Sequence, residues 1–126
     1  MVYITNVESV EEEVLQKGNA KETKVKYLVD SRHGAERFFL RVYKVEPGGR
    51  TPYDKHNYEH EVFVLQGTAK LVTVESGDKK EYTLKEGDVV YIAPNEVHQF
   101  VNEGSSTFKM LCVRGSEIKD EINEGC

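Results

Sequence analysis

Four histidines occur in the chain: His33, His56, His60 and His98. Taken singly, each reads as a surface or core residue. Grouped, three of them suggest metal chemistry. The segment Tyr53-Asp54-Lys55-His56-Asn57-Tyr58-Glu59-His60-Glu61 carries a carboxylate and two imidazoles. In an extended chain, residues two apart share a face, so Asp54 and His56 would project together, roughly 7 Å apart. After a short turn His60 re-enters the same space. Carboxylate and imidazole together suit borderline metals such as Zn, Fe, Ni and Mn. His98 is the candidate fourth ligand, because His33 lies in Ser31-Arg32-His33-Gly34, which reads as a turn. Spacing alone leaves two readings open, a metal cluster and a polar surface hairpin.

The elements that must position these residues are mostly strands. From Lys24 onward, short β-branched and aromatic runs alternate with Gly, Pro, Asn and Asp. Strands are expected at 25–29, 38–46, 61–65, 68–75, 81–84, 89–93, 97–102 and 107–113. Pro47-Gly48-Gly49 is read as the end of the second. This density of short strands and turns points to an antiparallel sandwich or barrel. Before them, 9–17 has the spacing of one short helix, with Ser9 and Glu12 as a capping box and Gly18 as its stop. Its apolar face, Val10, Val14 and Leu15, is thin. The expected organisation is an N-terminal segment 1–23, a barrel domain 24–116 and a tail 117–126.

At 126 residues the chain has the size of one domain with a real core. With 38% hydrophobic and 31% charged residues, it is composed like a folded soluble protein and not a disordered one. No apolar run approaches the ~20 residues of a membrane span. The formal net charge is −5, with lysines scattered among acids, so no basic stripe marks a nucleic-acid partner. The N-terminal stretch is polar and acidic, without the basic and apolar regions of a secretory signal. A cytoplasmic location is therefore expected, with Cys112 and Cys126 as free thiols.

The residues around the histidines resemble the cupin motifs. The stretch from Pro47-Gly48-Gly49 through Gly67 is similar to the first: glycine, a short loop, His-x-His, three or four residues, a third ligand, six residues, glycine. Here His60 is followed by six residues and Gly67. The second motif runs glycine, ten residues, histidine, three residues, asparagine, and Gly87, His98 and Asn102 keep that spacing. Together the two motifs cover about a third of the chain. Two departures stand out. Asp54 occupies the position of the first metal-binding histidine, and His60 that of the third ligand, often glutamate. The usual inventory of three histidines and one carboxylate is kept, with the carboxylate moved to the other end of the motif. In the second motif the proline comes one residue late, at Pro94, and Asn95 stands at a glycine position. Asn tolerates positive φ better than most residues, so the turn survives.

The resemblance implies an all-β fold, a jelly-roll-like antiparallel β-barrel, with one divalent transition metal (Fe, Mn, Zn or Ni) held by Asp54, His56, His60 and His98. It also implies a homodimer, in which N-terminal strands pair or pack across the interface. The absence of cysteine from the motif argues for a functional rather than a structural ion.

Strand parity proposes the pocket walls. Phe108, Met110 and Cys112 share a face, as do Phe39, Arg41 and Tyr43. If these faces point inward, Cys112 lies near the metal, or serves only as a small apolar filler. Arg41 either anchors an anionic substrate or snorkels outward from an exposed face. The small cupins this chain resembles often carry a cationic or polar residue on this strand. Phe100 shares its face with His98. Glu59 and Glu61 should point away from the metal.

Three functions follow from the resemblance. The first is a metal-dependent enzyme on a small organic molecule, oxygenase-like or of isomerase or lyase type. The second is a domain that binds or senses a small ligand without chemistry. The third is a barrel whose site has decayed, with Asp54 as the symptom.

Overall fold

The structure is a computed structural model that describes residues 1–117. Nine strands are found in these residues: β1 (Glu13–Val14), β2 (Lys21–Val29), β3 (Phe38–Arg50), β4 (His60–Gln66), β5 (Ala69–Glu75), β6 (Asp78–Leu84), β7 (Val89–Ile92), β8 (His98–Val101) and β9 (Phe108–Gly115). Every pairing is antiparallel, in the order β6-β5-β8-β3-β9-β4-β7, with β2 added on β3 and β1 on β2. The sheet curls into the jelly-roll-like barrel that the strand pattern and motifs imply. Among the described residues, no helix is long and apolar enough to cross a membrane.

Alternation decides which side chains form the interior. In β4, His60, Val62 and Val64 are buried while Glu61, Phe63 and Leu65 are exposed. In β9, Phe108, Met110 and Cys112 are buried at 0, 2 and 3% exposure, so their shared face is the inward one. These side chains join Val45, Leu71, Leu84, Ile92 and Phe100 in one hydrophobic cluster. Period-two patterning therefore fixes both the face and the register of each strand.

Two expectations are corrected. The helix over 9–17 does not form. A 3-10 turn at Val7–Ser9 is capped by Asn6, whose side chain accepts from Glu8 N at 2.9 Å, and Glu13–Val14 then pairs with β2. Val10, Val14 and Leu15 are too few for an apolar helical stripe, and Val favours extended backbone. The open edge of β2 supplies a ladder instead, with Leu15 N donating to Thr23 O at 2.9 Å. The second correction concerns Pro47-Gly48-Gly49, which bends β3 without ending it. Thr23 is opposite Val45, yet Lys21 is opposite Arg50, so the extra residues bulge out. Gly48 takes φ +83°, its N–H donates to Asn102 O at 2.8 Å, and Asn102 N donates to Gly49 O at 3.0 Å. A Cβ on Gly49 would lie 2.7 Å from Lys21 O. Past the bulge β3 keeps β2 on one side and exchanges β9 for β8 on the other, turning a corner of the barrel.

The ends of both motifs are structural. Gly67 has φ +77° and sits where any Cβ would strike the carbonyl of Thr107. Asn102 is 1% exposed, and its Nδ2 donates to Val45 O and Ser106 O while its Oδ1 accepts from Gly104 N, each at 2.9 Å. Replacing it would strand three backbone groups, each costing about 1–3 kcal/mol if buried and unpaired. Urea unfolding of Asn102→Ala is expected to show a loss of about 2–4 kcal/mol. A change below about 0.5 kcal/mol would contradict this role.

Candidate metal centre

The segment that brings the candidate ligands together is a loop. Asp54 makes an isolated bridge to His98, with Asp54 N donating to His98 O at 3.1 Å and His98 N donating to Asp54 O at 2.9 Å. Residues 55–59 then run without strand pairing until His60 opens β4. The extended-strand reading of Asp54 to His56 is thus replaced by a bridge followed by a loop. A second clasp holds that loop, where Asn95 N donates to His56 O at 2.6 Å. Asn95 itself takes φ +66°, the left-handed conformation its motif position requires.

His56, His60 and His98 converge. Each offers a ring nitrogen, all within 4.8 Å of one another. Ring centroids are 5.3 Å apart for His56 with His60, 5.3 Å for His56 with His98 and 4.9 Å for His60 with His98. His60 Nε2 and His56 Nδ1 are 3.3 Å apart. Two nitrogens on one ion at ~2.0–2.1 Å stand about 3.0–3.5 Å apart, so this separation fits a shared metal. His98 Nδ1 lies 3.0 Å from Glu96 O, a bond that leaves Nε2 free for the site. His56 stacks on Tyr58 with centroids 4.6 Å apart and planes 10° apart. Its Nε2 is buried without a hydrogen-bond partner. Asp54 Oδ2 is 3.1 Å from that nitrogen, in ion-pair range but off the line of the ring N–H. His56 thus turns Nε2 toward Asp54 and Nδ1 toward His60, so Nδ1 is the nitrogen placed to share an ion with His60 Nε2.

Burial sets the protonation of the cluster. Removal from water is the largest influence on all three histidines, and all three titrate below their usual range. His60 is pushed down to about 3, by burial first and then by His98 and Arg41. Neutral imidazoles are what a metal ion needs. Burial is also the largest influence on Asp54 and would raise its pKa. The hydrogen bonds from Lys17 and the Lys55 N–H, with His56, outweigh it and bring the pKa below the usual value. Lys17 Nζ lies 2.9 Å from Asp54 Oδ2.

The cluster opens into a cavity of about 280 Å³. Arg41, Tyr43, Phe100, Met110 and Cys112 all line it. Cys112 Sγ is 3.6 Å from His60 Nδ1, and burial raises its thiol above the usual range. Glu59 and Glu61 are exposed, and Glu59 Oε2 accepts from Tyr91 OH at 3.0 Å. His33 lies in the 3-10 turn Ser31–His33, where Nδ1 accepts from Asp30 N at 3.1 Å. Cys126 lies outside the described residues.

Sequence reasoning missed Lys17, Tyr27, Tyr58 and Arg114, which also line the cavity. Tyr58 was findable by parity, two residues from both His56 and His60. Tyr27 needed the register that sets it opposite Arg41, and Lys17 sat in the segment read as a helix.

Metal-free protein should lose stability on acidification. The unfolded chain protonates His60 near 6.5 and the fold only near 3, so between these values the unfolded state holds more protons. Stability is at its full value above about pH 6.5 and falls as pH drops toward 3. Urea midpoints of chelator-treated protein between pH 7 and 4.5 should fall more steeply for the wild type than for His60→Gln. Parallel slopes would contradict a buried neutral His60.

The Cupin domain family matches residues 41–114, which include both clasps and all three histidines. A structure of the polyketide cyclase RemF from Streptomyces resistomycificus is 33% identical, covers 93% of this chain and 81% of that one, and superposes with a TM-score of 0.84. A predicted oxalate decarboxylase from Thermotoga maritima, 19% identical over 90% of this chain and 98% of that one, shares the fold with a TM-score of 0.76. An uncharacterized protein of Methanocaldococcus jannaschii is 31% identical over 68 residues, 54% of this chain, and the chain spans about half of that curated relative's length (52%). The family match, the antiparallel barrel and the three clustered histidines agree, and the chain belongs to the cupin family.

Proposed function

We propose that this chain is a mononuclear metal-dependent enzyme acting on a small organic molecule. The observation that carries the reading is the position of the three neutral imidazoles, grouped in the wall of a substrate-sized cavity. A purely structural ion would be closed off by its ligands, whereas a site facing a cavity keeps positions open. His56, His60 and His98 would hold one Fe, Mn, Zn or Ni ion, all of which take imidazole. When bound, the ion supplies an electrophile for a substrate oxygen. Asp54 is the proposed carboxylate of the set, acting on the ion directly or by orienting His56. Tyr43 and Phe100 wall the site and exclude water.

Of the reaction types open from the sequence, isomerase or lyase chemistry gains support from the likeness to RemF, a polyketide cyclase. A homodimer is proposed with it: the outer face of β4 and β7 exposes Phe63, Val89 and Tyr91 at 45, 74 and 56%. Sedimentation should give twice the chain mass, and Val89→Asp should shift it to monomer. A wild-type monomer would remove the dimer.

The test of function is metal uptake followed by exchange chemistry. Native mass spectrometry of chelator-treated protein should show one Zn or Mn per chain after reloading, none in His98→Ala, and about 10–100-fold weaker binding in Asp54→Ala. The loaded protein should exchange α-hydrogens of small keto acids with deuterium, followed by NMR, and His56→Ala should not. No uptake of Fe, Mn, Zn or Ni by the wild type would sink the metalloenzyme reading. Uptake without any turnover would leave a domain that holds a small ligand.

A further inference from the structure

The central cavity holds an arginine with no charge opposite it. Arg41 lies on the inward face of β3, in register with Tyr27 of β2 and Cys112 of β9. Its Nε is buried and has no hydrogen-bond partner. Its guanidinium lies 5.3 Å from the centre of the Tyr43 ring. Among the described residues, no carboxylate comes within 4.0 Å of its nitrogens. Arg114, next along the inward face of β9, packs on the Tyr58 ring at 3.9 Å and likewise has no ion pair among the described residues. Among the described residues the cavity's one acidic lining residue, Asp54, is already engaged by Lys17. Three cationic side chains, Lys17, Arg41 and Arg114, thus line the cavity with one carboxylate.

This imbalance is notable in a chain whose formal net charge is −5. A guanidinium does not shed its proton, so burial cannot neutralise it as it neutralises His60. A buried charge left unpaired is unfavourable, and the missing partner must come from outside the fold. A guanidinium presents a planar fork of donors, which matches two coplanar oxygens bound side by side. The walls beside it are aromatic, Tyr43 and Phe100 among them.

We infer that Arg41 is an anion subsite, and that the cavity takes a small conjugated organic anion with two coplanar oxygens, a carboxylate or a β-dicarbonyl enolate. Its charged end lies on Arg41 and its planar body lies against the aromatic walls. The inference deepens the metalloenzyme reading by naming the substrate class, but the Arg41 subsite acts without the metal.

That independence shapes the test. Benzoate and its neutral counterpart benzamide are titrated calorimetrically into chelator-treated and zinc-loaded protein. Benzoate should bind the metal-free wild type at least tenfold more tightly than benzamide. Arg41→Gln should weaken benzoate at least tenfold and leave benzamide unchanged, with Arg41→Lys between the two. Equal benzoate binding by wild type and Arg41→Gln, equal binding of benzoate and benzamide, or no benzoate binding to the wild type would each overturn the inference. If Arg41→Gln fails to fold, the benzoate and benzamide comparison on the wild type decides. Zinc per chain, measured separately, bears on the metalloenzyme reading alone: its failure would leave the benzoate result standing.

Discussion

The site depends on one reciprocal pair of backbone hydrogen bonds, between Asp54 and His98. The two cupin motifs are distant in sequence, and this bridge is where they meet. It sets the start of the 55–59 loop, which has no ladder of its own, against the first residue of β8. The bond from Asn95 N to His56 O closes the same loop from the other side. Between these clasps His56 has little freedom, and its stacking on Tyr58 fixes the ring plane. His60 and His98 need less help, because each opens a strand whose pairing fixes its backbone. The three imidazoles are therefore placed by main-chain bonds made before any ion arrives, and preorganisation of this kind tightens binding by reducing what must be ordered on association.

Crowding three imidazoles into a buried wall has an electrostatic consequence. None can take a proton without bringing a charge out of water and close to its neighbours, so all three stay neutral below their usual range. An ion bound there would need to displace few protons near neutral pH. Arg41 follows the opposite rule in the same cavity. It keeps its charge whatever the burial, because guanidinium is too weak an acid to respond. One environment therefore yields neutral imidazoles and an enduring cation side by side.

Much of this was legible in the sequence, and what was not has physical causes. The strands β4 to β9 were marked by alternation and punctuation, both local signals, and their ends shifted by three residues at most. The clustered histidines were legible because motif spacing encodes backbone turns: Gly67 and Asn95 carry the positive φ that those spacings require. The corner at Pro47-Gly48-Gly49 was misread because a bulge and a strand end use the same residue types, and only the partner strands distinguish them. The 9–17 segment was misread because its local pattern is ambiguous and the free edge of β2 decided it. Lys17 was hidden for the same reason, since its role exists only once the N-terminal segment is folded against the cavity, with Lys17 in its wall and paired to Asp54. Arg41 was found by parity, but the choice between pocket and surface needed the burial of Met110 and Cys112 on the adjoining strand.

The placement of charge also constrains how a ligand is captured. An acidic surface gives an anion no long-range attraction, and at physiological salt such fields fade within about 8 Å. Steering would therefore contribute little to the rate of encounter. Inside the cavity the balance reverses, because aromatic walls exclude water and strengthen any interaction with Arg41. Association would then proceed without electrostatic acceleration, and the ion pair would act mainly on the rate of escape. Lys17 adds a local exception: it is a cation at the mouth, held in place by Asp54. A carboxylate that fastens Lys17 also touches the edge of the histidine cluster through His56. Lys17 and the histidine cluster therefore share one side chain, and any displacement of Lys17 from Asp54 changes the electrostatic environment of His56 directly.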